Sequence, residues 1–306
     1  MSSLNFRKIL VPIDFSETAL RAVEHATLLA KKNDAEITFI HVEEPKSMNF
    51  AHTASNFNMP VDTDFVHRQK IADAEERVEE EMTEALKGLE NKIKRQKIAV
   101  ANSIIETGKI SKKIAATAKK IQADIIVMGT HGASGMREFM VGSNTYKVIS
   151  ESHIPVLSIR EEFVVPGFKN ILLPFIDAPH MREHVDYAIK LAKIYGATLN
   201  ILGIDNERNP DHFRKVRREA EQIKGFADKA NVKSTIDVFP SSYMNEFIMG
   251  YGEKKKVDLI VIMADINKVG VMQYLTGPVV QQIVNHSPIP VLSIPMHFNP
   301  KLSPYA

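Results

Sequence analysis

The chain repeats itself, and nothing else in the sequence limits the possible folds so tightly. Lys8-Ile9-Leu10-Val11-Pro12 is similar to Asn170-Ile171-Leu172-Leu173-Pro174 at an offset of 162, and the same offset carries Ala26, Leu29, Ala30 and Lys31 onto Ala188, Leu191, Ala192 and Lys193. Further on, Ile154-Pro155-Val156-Leu157-Ser158-Ile159 returns unchanged as Ile289-Pro290-Val291-Leu292-Ser293-Ile294, now at an offset of 135. The first copy therefore holds 27 extra residues in its middle. Gene duplication is the simplest origin. A length of 306 residues divides into two domains, expected at 1–161 and 162–306, each long enough to bury its own core.

Within each copy, apolar runs alternate with helical stripes. Strands are expected at Ile9 to Ile13, Ile37 to Val42, Ile98 to Ile105, Asp124 to Met128 and Val156 to Ile159. In the second copy they fall near Ile171 to Phe175, Thr198 to Ile204, Ser234 to Phe239, Leu259 to Met263 and Val291 to Ile294. Ser16 offers a helix cap before the stripe of Ala19, Ala22, Val23, Ala26, Leu29 and Ala30, and further helices are expected over Ser111 to Ile121 and Ser143 to Ser152. Such alternation predicts an α/β fold with parallel sheets and right-handed crossovers. The extra residues fall between strands two and three, about 55 residues apart in the first copy against about 28 in the second. That connection ends in a helix with Ile71, Ala74, Val78, Met82, Ala85, Leu89 and Ile93 on one face. Pro45 to Val66 has no period and is expected to be a surface loop, with a lid over a neighbouring site as the alternative.

Charge excludes some functions. Lys and Arg total 39 against 37 Asp and Glu, a formal charge of +2, so no general attraction to nucleic acid or acidic membranes is expected. Neither half is a basic module: the first 160 residues hold 22 basic and 21 acidic side chains, the remainder 17 and 16. The absence of cysteine rules out disulfides and thiolate metal sites. With no long apolar run and no leader-like N-terminus, a cytoplasmic protein with no membrane partner is expected.

One constellation carries chemistry. Gly129-Thr130-His131-Gly132 follows the apolar run Ile125-Ile126-Val127-Met128, and nine residues later comes Gly142-Ser143-Asn144-Thr145 at a helix start. Glycines let backbone N–H groups approach a phosphate, and the helix end adds amides and positive potential. Asp14, at the end of strand one, would contact a ligand beyond the strand ends or act as a second helix cap. No P-loop, Gly-x-Ser-x-Gly or His-Glu-x-x-His occurs. His180 and His184 lie four apart with no identifiable third ligand, so a structural or surface role is expected rather than a metal site.

These features resemble the universal stress protein family: Val11-Pro12-Ile13-Asp14-Phe15-Ser16 at strand one, His41-Val42 at strand two, and Met128-Gly129 with the Gly-x-x-Gly-(nine)-Gly-Ser spacing of its ATP-binding branch. The similarity covers nearly the whole chain, as in tandem members. It implies two Rossmann-like domains, each a five-stranded parallel sheet of order 3-2-1-4-5 flanked by helices. It also implies that Pro12, Ile13, Asp14 and Val42 frame the adenosine of ATP. Met128, Gly129, Thr130, Gly132, Gly142, Ser143, Asn144 and Thr145 would surround its ribose and phosphates, with or without Mg²⁺. The family commonly pairs through its fifth strands, which implies that the two domains pair within the chain and that a homodimer is possible.

The second copy departs from the motif. At offset 135, Gly129, Gly132 and Ser143 become Ala264, Asn267 and Pro278, while Gly142 is kept as Gly277. Asp14 becomes Ile176, with Asp177 one residue later. A proline removes a donor at the helix start, so the second domain is expected to bind ATP weakly or not at all. Three functions stand open: an adenine-nucleotide-dependent regulator in the stress response, a slow ATPase or nucleotidyl transferase, and a nucleotide-independent dimerisation scaffold. Phosphoryl transfer needs a base and neutralising cations, and Arg137 and Glu138 are the only such groups near the glycines, so binding without efficient turnover is the leading expectation.

Overall fold

The computed structural model describes residues 6–44, 64–130, 143–163, 167–176, 182–206, 209–264 and 277–295. The first half runs β1 (Lys8–Pro12), α1 (Glu17–Asn33), β2 (Glu36–Glu43), α2 (Asp64–Lys94), β3 (Ala99–Thr107), α3 (Ile110–Lys120), β4 (Ile125–Gly129), α4 (Ser143–Glu151) and β5 (Val156–Ile159). The second half runs β6 (Asn170–Phe175), α5 (Arg182–Tyr195), β7 (Thr198–Asp205), α6 (Pro210–Lys229), β8 (Ser234–Pro240), α7 (Met244–Lys254), β9 (Leu259–Ala264), α8 (Gly277–His286) and β10 (Val291–Pro295).

All ten strands join one sheet in the order β3-β2-β1-β4-β5-β10-β9-β6-β7-β8. Neighbours are parallel except at the seam, where β5 and β10 run antiparallel. The seam pairs Ser158 with Val291, Leu157 with Leu292 and Val156 with Ser293. Leu292 is the repeat counterpart of Leu157 at offset 135, so an approximate two-fold axis passes through that pair. The unchanged Ile-Pro-Val-Leu-Ser-Ile run is thus a strand facing its own duplicate, and the seam leaves neither fifth strand as an open edge. Two apolar cores, one per sheet face, both continue across it. One includes Ile9, Val127 and Leu157 with Ile171, Val261 and Leu292, the other Leu10, Ile126 and Val156 with Leu172, Ile260 and Val291.

Behind the sheet the halves pack reciprocally. Phe6 lies 6.1 Å from Tyr187, and Phe168 stacks 5.8 Å from His25. Phe168 and Tyr187 are the counterparts of Phe6 and His25 at offset 162, so each half's leading Phe packs on the first helix of the other. Contacts of i with j matched by j with i mark an isologous interface.

Local chemistry explains the elements. Ser16 caps α1, accepting the Ala19 N–H at 3.3 Å, and Asp34 ends it in the left-handed region (φ 52°). The α2 helix begins at Asp64, so it takes the last residues of the expected Pro45–Val66 loop; residues 45–63, and with them the loop-or-lid question, lie outside the described residues. The buried face of α2 lies one residue away from the expected Ala85. Leu86, Leu89 and Ile93 are buried whereas Ala85 is exposed. Steps of three and four residues from Ile93 reach Leu89 and Leu86, and Ala85 falls about 100° further round.

Candidate functional site

The sheet changes winding direction between β1 and β4. The α1 helix packs into the core on one face, through Ala19, Ala22 and Ala26, and α3 and α4 into the core on the other, through Ile114 and Val148. The carboxyl ends of β1, β2 and β4 therefore border the crevice where open α/β sheets take ligands.

Asp14 follows β1. Its Oδ1 accepts the Ser16 N–H at 3.0 Å and the Ser16 hydroxyl at 2.6 Å, with Phe15 between them in the left-handed region (φ 61°). Asp14 thus braces the cap of α1 while staying half-buried at the crevice, so its two sequence-level roles are compatible. On β2, His41 Nδ1 donates to the Ile13 carbonyl at 2.8 Å and Ile13 N–H donates to the Ile40 carbonyl at 2.9 Å, which fixes the end of the first strand. Alternation sends His41 to one face and Val42 to the other, where Val42 sits half-buried on the core that holds Met128.

At β4 the first glycine has a reason the sequence did not reveal. A Cβ on Gly129 would lie 2.7 Å from the Thr18 backbone carbon and 2.9 Å from Ala19 N. Gly129 is therefore needed for the close approach of β4 to the start of α1, independently of any phosphate. Beyond it, Thr130 N–H donates to the Ile159 carbonyl at 2.9 Å. The buried Thr145 hydroxyl donates back to the Gly129 carbonyl at 3.0 Å, clamping the first turn of α4 to the strand end. Ser143 opens α4 and Asn144 is half-buried beside it. Gly132 and Gly142, with His131, Arg137 and Glu138, lie outside the described residues. Of the expected ligand residues, the structure brings Pro12, Ile13, Asp14, Val42, Met128, Gly129, Thr130, Asn144 and Thr145 to the carboxyl ends of β1, β2 and β4 and the adjoining turn of α4. Sequence reasoning missed Thr18 and the His41 bond. Nothing in the sequence marks the first, whereas a histidine beside the apolar residues of β2 would have been the signal for the second.

The second half has the same crevice in another state. Pro12, Asp14, Val42 and Gly129 are all half-exposed, whereas their counterparts Pro174, Ile176, Ile204 and Ala264 are all buried. Ile176, Ile204 and Ala264 join the core with Ile248 and Val280. Asp177, His180 and Asn267 lie outside the described residues. His184 is buried in α5 with Nδ1 lacking a partner, and burial pushes its ring down to about 4. Among the described residues no group of three His, Asp or Glu side chains is placed to hold a metal, and no helix is long and apolar enough to cross a membrane.

The universal stress protein family model matches residues 5–160 and again 167–295. Universal stress protein MJ0531 of Methanocaldococcus jannaschii is 29% identical over 156 residues, covering 51% of this chain and 83% of that protein. Universal stress protein YxiE of Bacillus subtilis is 32% identical over 155 residues, covering 51% of this chain and 99% of its own length. Among solved structures, a universal stress protein from Archaeoglobus fulgidus superposes with a TM-score of 0.70 at 20% identity, over 97% of this chain and 99% of that one, which shows a shared fold across both halves. Matched twice in tandem by the family model, the chain belongs to the universal stress protein family.

Proposed function

We propose that the chain is a nucleotide-dependent regulator of the stress response that binds one ATP, in the first domain, and uses its second domain as a permanent, non-binding partner. The observation that carries this reading is the contrast between matched crevices. Four corresponding positions are half-exposed in the half that keeps the glycine motif and buried in the half that lost it. Isoleucines at the counterparts of Asp14 and Val42 fill the second crevice with apolar side chains. Pro12, Ile13, Asp14 and Val42 would frame the adenosine. Met128, Gly129, Thr130, Gly132, Gly142, Ser143, Asn144 and Thr145 would surround the ribose and phosphates.

The first-domain residues fit that ligand. A half-buried carboxylate stands at the strand end, and a helix start clamped to β4 offers backbone donors to an anion. When bound, the triphosphate supplies most of the oxygens an accompanying Mg²⁺ needs, which suits a site with few protein carboxylates. The β5–β10 seam and the reciprocal aromatic contacts support a self-contained pseudo-dimer, in which the second domain buries the edge a lone domain would expose. Calorimetric titration with ATP tests the reading: one site per chain is expected, lost in Gly132→Val or Gly142→Val. Turnover of Mg²⁺-ATP is expected below about one event per second; a faster rate would move the protein to the enzyme class.

A further inference from the structure

Arg160 follows β5, whose last residue, Ile159, is the register partner of Gly129 and accepts the Thr130 N–H. The arginine therefore leaves the sheet beside the carboxyl end of β4. Leu157 and Ile159 point into the core under α1, so alternation sends Arg160 to the opposite face, which carries α4 and α8. There Nη2 donates to the Asn285 carbonyl at 2.6 Å, in the last turn of α8 and thus in the second half. A helix carboxyl end is a favourable place for a cation.

Among the described residues this is the one hydrogen bond of the Arg160 guanidinium. The group has five N–H donors, yet Nε is buried without a partner, as is the neighbouring Asn285 Oδ1. Arg160 is only 7% exposed, and among the described residues no carboxylate lies within 4.0 Å of it. Glu162 acts on it from further away and is itself exposed. A bridging water would satisfy Nε and Asn285 Oδ1 but would leave the buried positive charge without a counter-charge, which an anion supplies. The repeat adds a separate mark. At offset 135 the counterpart of Arg160 is Pro295, so the cation is present in the half that keeps the glycines and absent from the half that lost them.

We propose that Arg160 is the cation of the first-domain anion subsite, donating to a phosphate oxygen of the nucleotide held between the end of β4 and the first turn of α4 while Nη2 stays on α8. The inference rests on nucleotide binding in the first domain and gives the second half a part in it: α8 positions the guanidinium. It would also add a buried cation to a chain whose overall charge is near neutral.

The test compares ATP with adenosine on the full chain, by calorimetry, for the parent protein, Arg160→Met and Arg160→Lys, with melting temperatures recorded alongside. Arg160→Met should bind ATP at least tenfold more weakly and adenosine within twofold of the parent. Arg160→Lys should fall between, since lysine keeps the charge but not the planar fork. An unchanged ATP affinity in Arg160→Met, or an equal loss of adenosine, overturns the inference. If Arg160→Met does not fold, Arg160→Lys carries the test: the ratio of ATP to adenosine affinity should drop at least threefold, and an unchanged ratio overturns the role. A parent protein that binds neither ligand defeats the nucleotide reading and this inference with it; a parent that binds both, with variants that keep its ratio, removes Arg160 alone.

Discussion

At the scale of single residues, Gly129 and His184 make the sharpest claims. Any side chain at position 129 meets the Thr18 backbone at 2.7 Å, and backbone yields less readily than a flexible side chain. Gly129→Val should therefore destabilise the protein by about 1–3 kcal/mol and weaken ATP binding, read from urea midpoints and calorimetry. In a purely ligand-facing role it would weaken binding and leave the midpoint unchanged. His184 replaces the small Ala22 of the first copy and is neutral in the core. The unfolded chain takes up that proton near pH 6.5, whereas the folded chain does so only near 4. The unfolded state therefore binds more protons between these values, so stability falls as pH drops from 6.5 towards 4 and levels off below, a loss of about 3 kcal/mol from this ring. His184→Ala should flatten the stability profile over that window, measured by denaturation at several pH values; an unchanged slope would place the acid sensitivity elsewhere. The sequence suggested a structural or surface role for His184, but showed neither its burial nor the close approach at Gly129. Close approach at Gly129 depends on where α1 sits over β4, and the burial of His184 depends on the angle at which α5 enters the core.

At the scale of elements, the sequence was a good guide wherever period and caps agree. Short apolar runs such as Ile125-Ile126-Val127-Met128 read as strands buried on both faces, and Ser16 before an alanine-rich stripe marks the start of α1. The α2 helix was read less well, since a narrow apolar stripe in a highly charged segment admits two neighbouring choices, Ala85 or Leu86, and the larger side chain takes the core. The α4 helix shows how a site element is held. Thr145 ties its first turn to the Gly129 carbonyl, so Thr145→Val, nearly the same shape, leaves that carbonyl without its donor. A loss of about 1–2 kcal/mol is expected, with ATP affinity reduced because the amides of the corner are no longer fixed. Wild-type stability and affinity in this variant would show that the clamp is incidental.

At the scale of the whole molecule, duplication explains both the symmetry and its failure. Leu157 faces its own copy Leu292 across the seam, and the Phe6–Tyr187 and Phe168–His25 pairs answer one another. The repeat offsets made two related halves legible, but not that their cores run together across the seam. Because they do, the chain should unfold in one cooperative transition, with Phe6→Ala and Phe168→Ala each losing about 3–5 kcal/mol; two separated transitions would contradict a shared core. The halves differ where chemistry is concerned: Asp14, Val42, Gly129 and Arg160 in one face Ile176, Ile204, Ala264 and Pro295 in the other. The near-even charge of the chain belongs to the same picture, since the proposed anion site would rely on fixed amides, a helix end and one buried cation instead of general basicity. The central claim, one working crevice and one filled one, is tested most directly by the stoichiometry of adenine nucleotide bound to the purified full chain, measured by calorimetry and by assay of co-purifying ligand. One nucleotide per chain is the predicted result; two equivalent sites, or none, would contradict it.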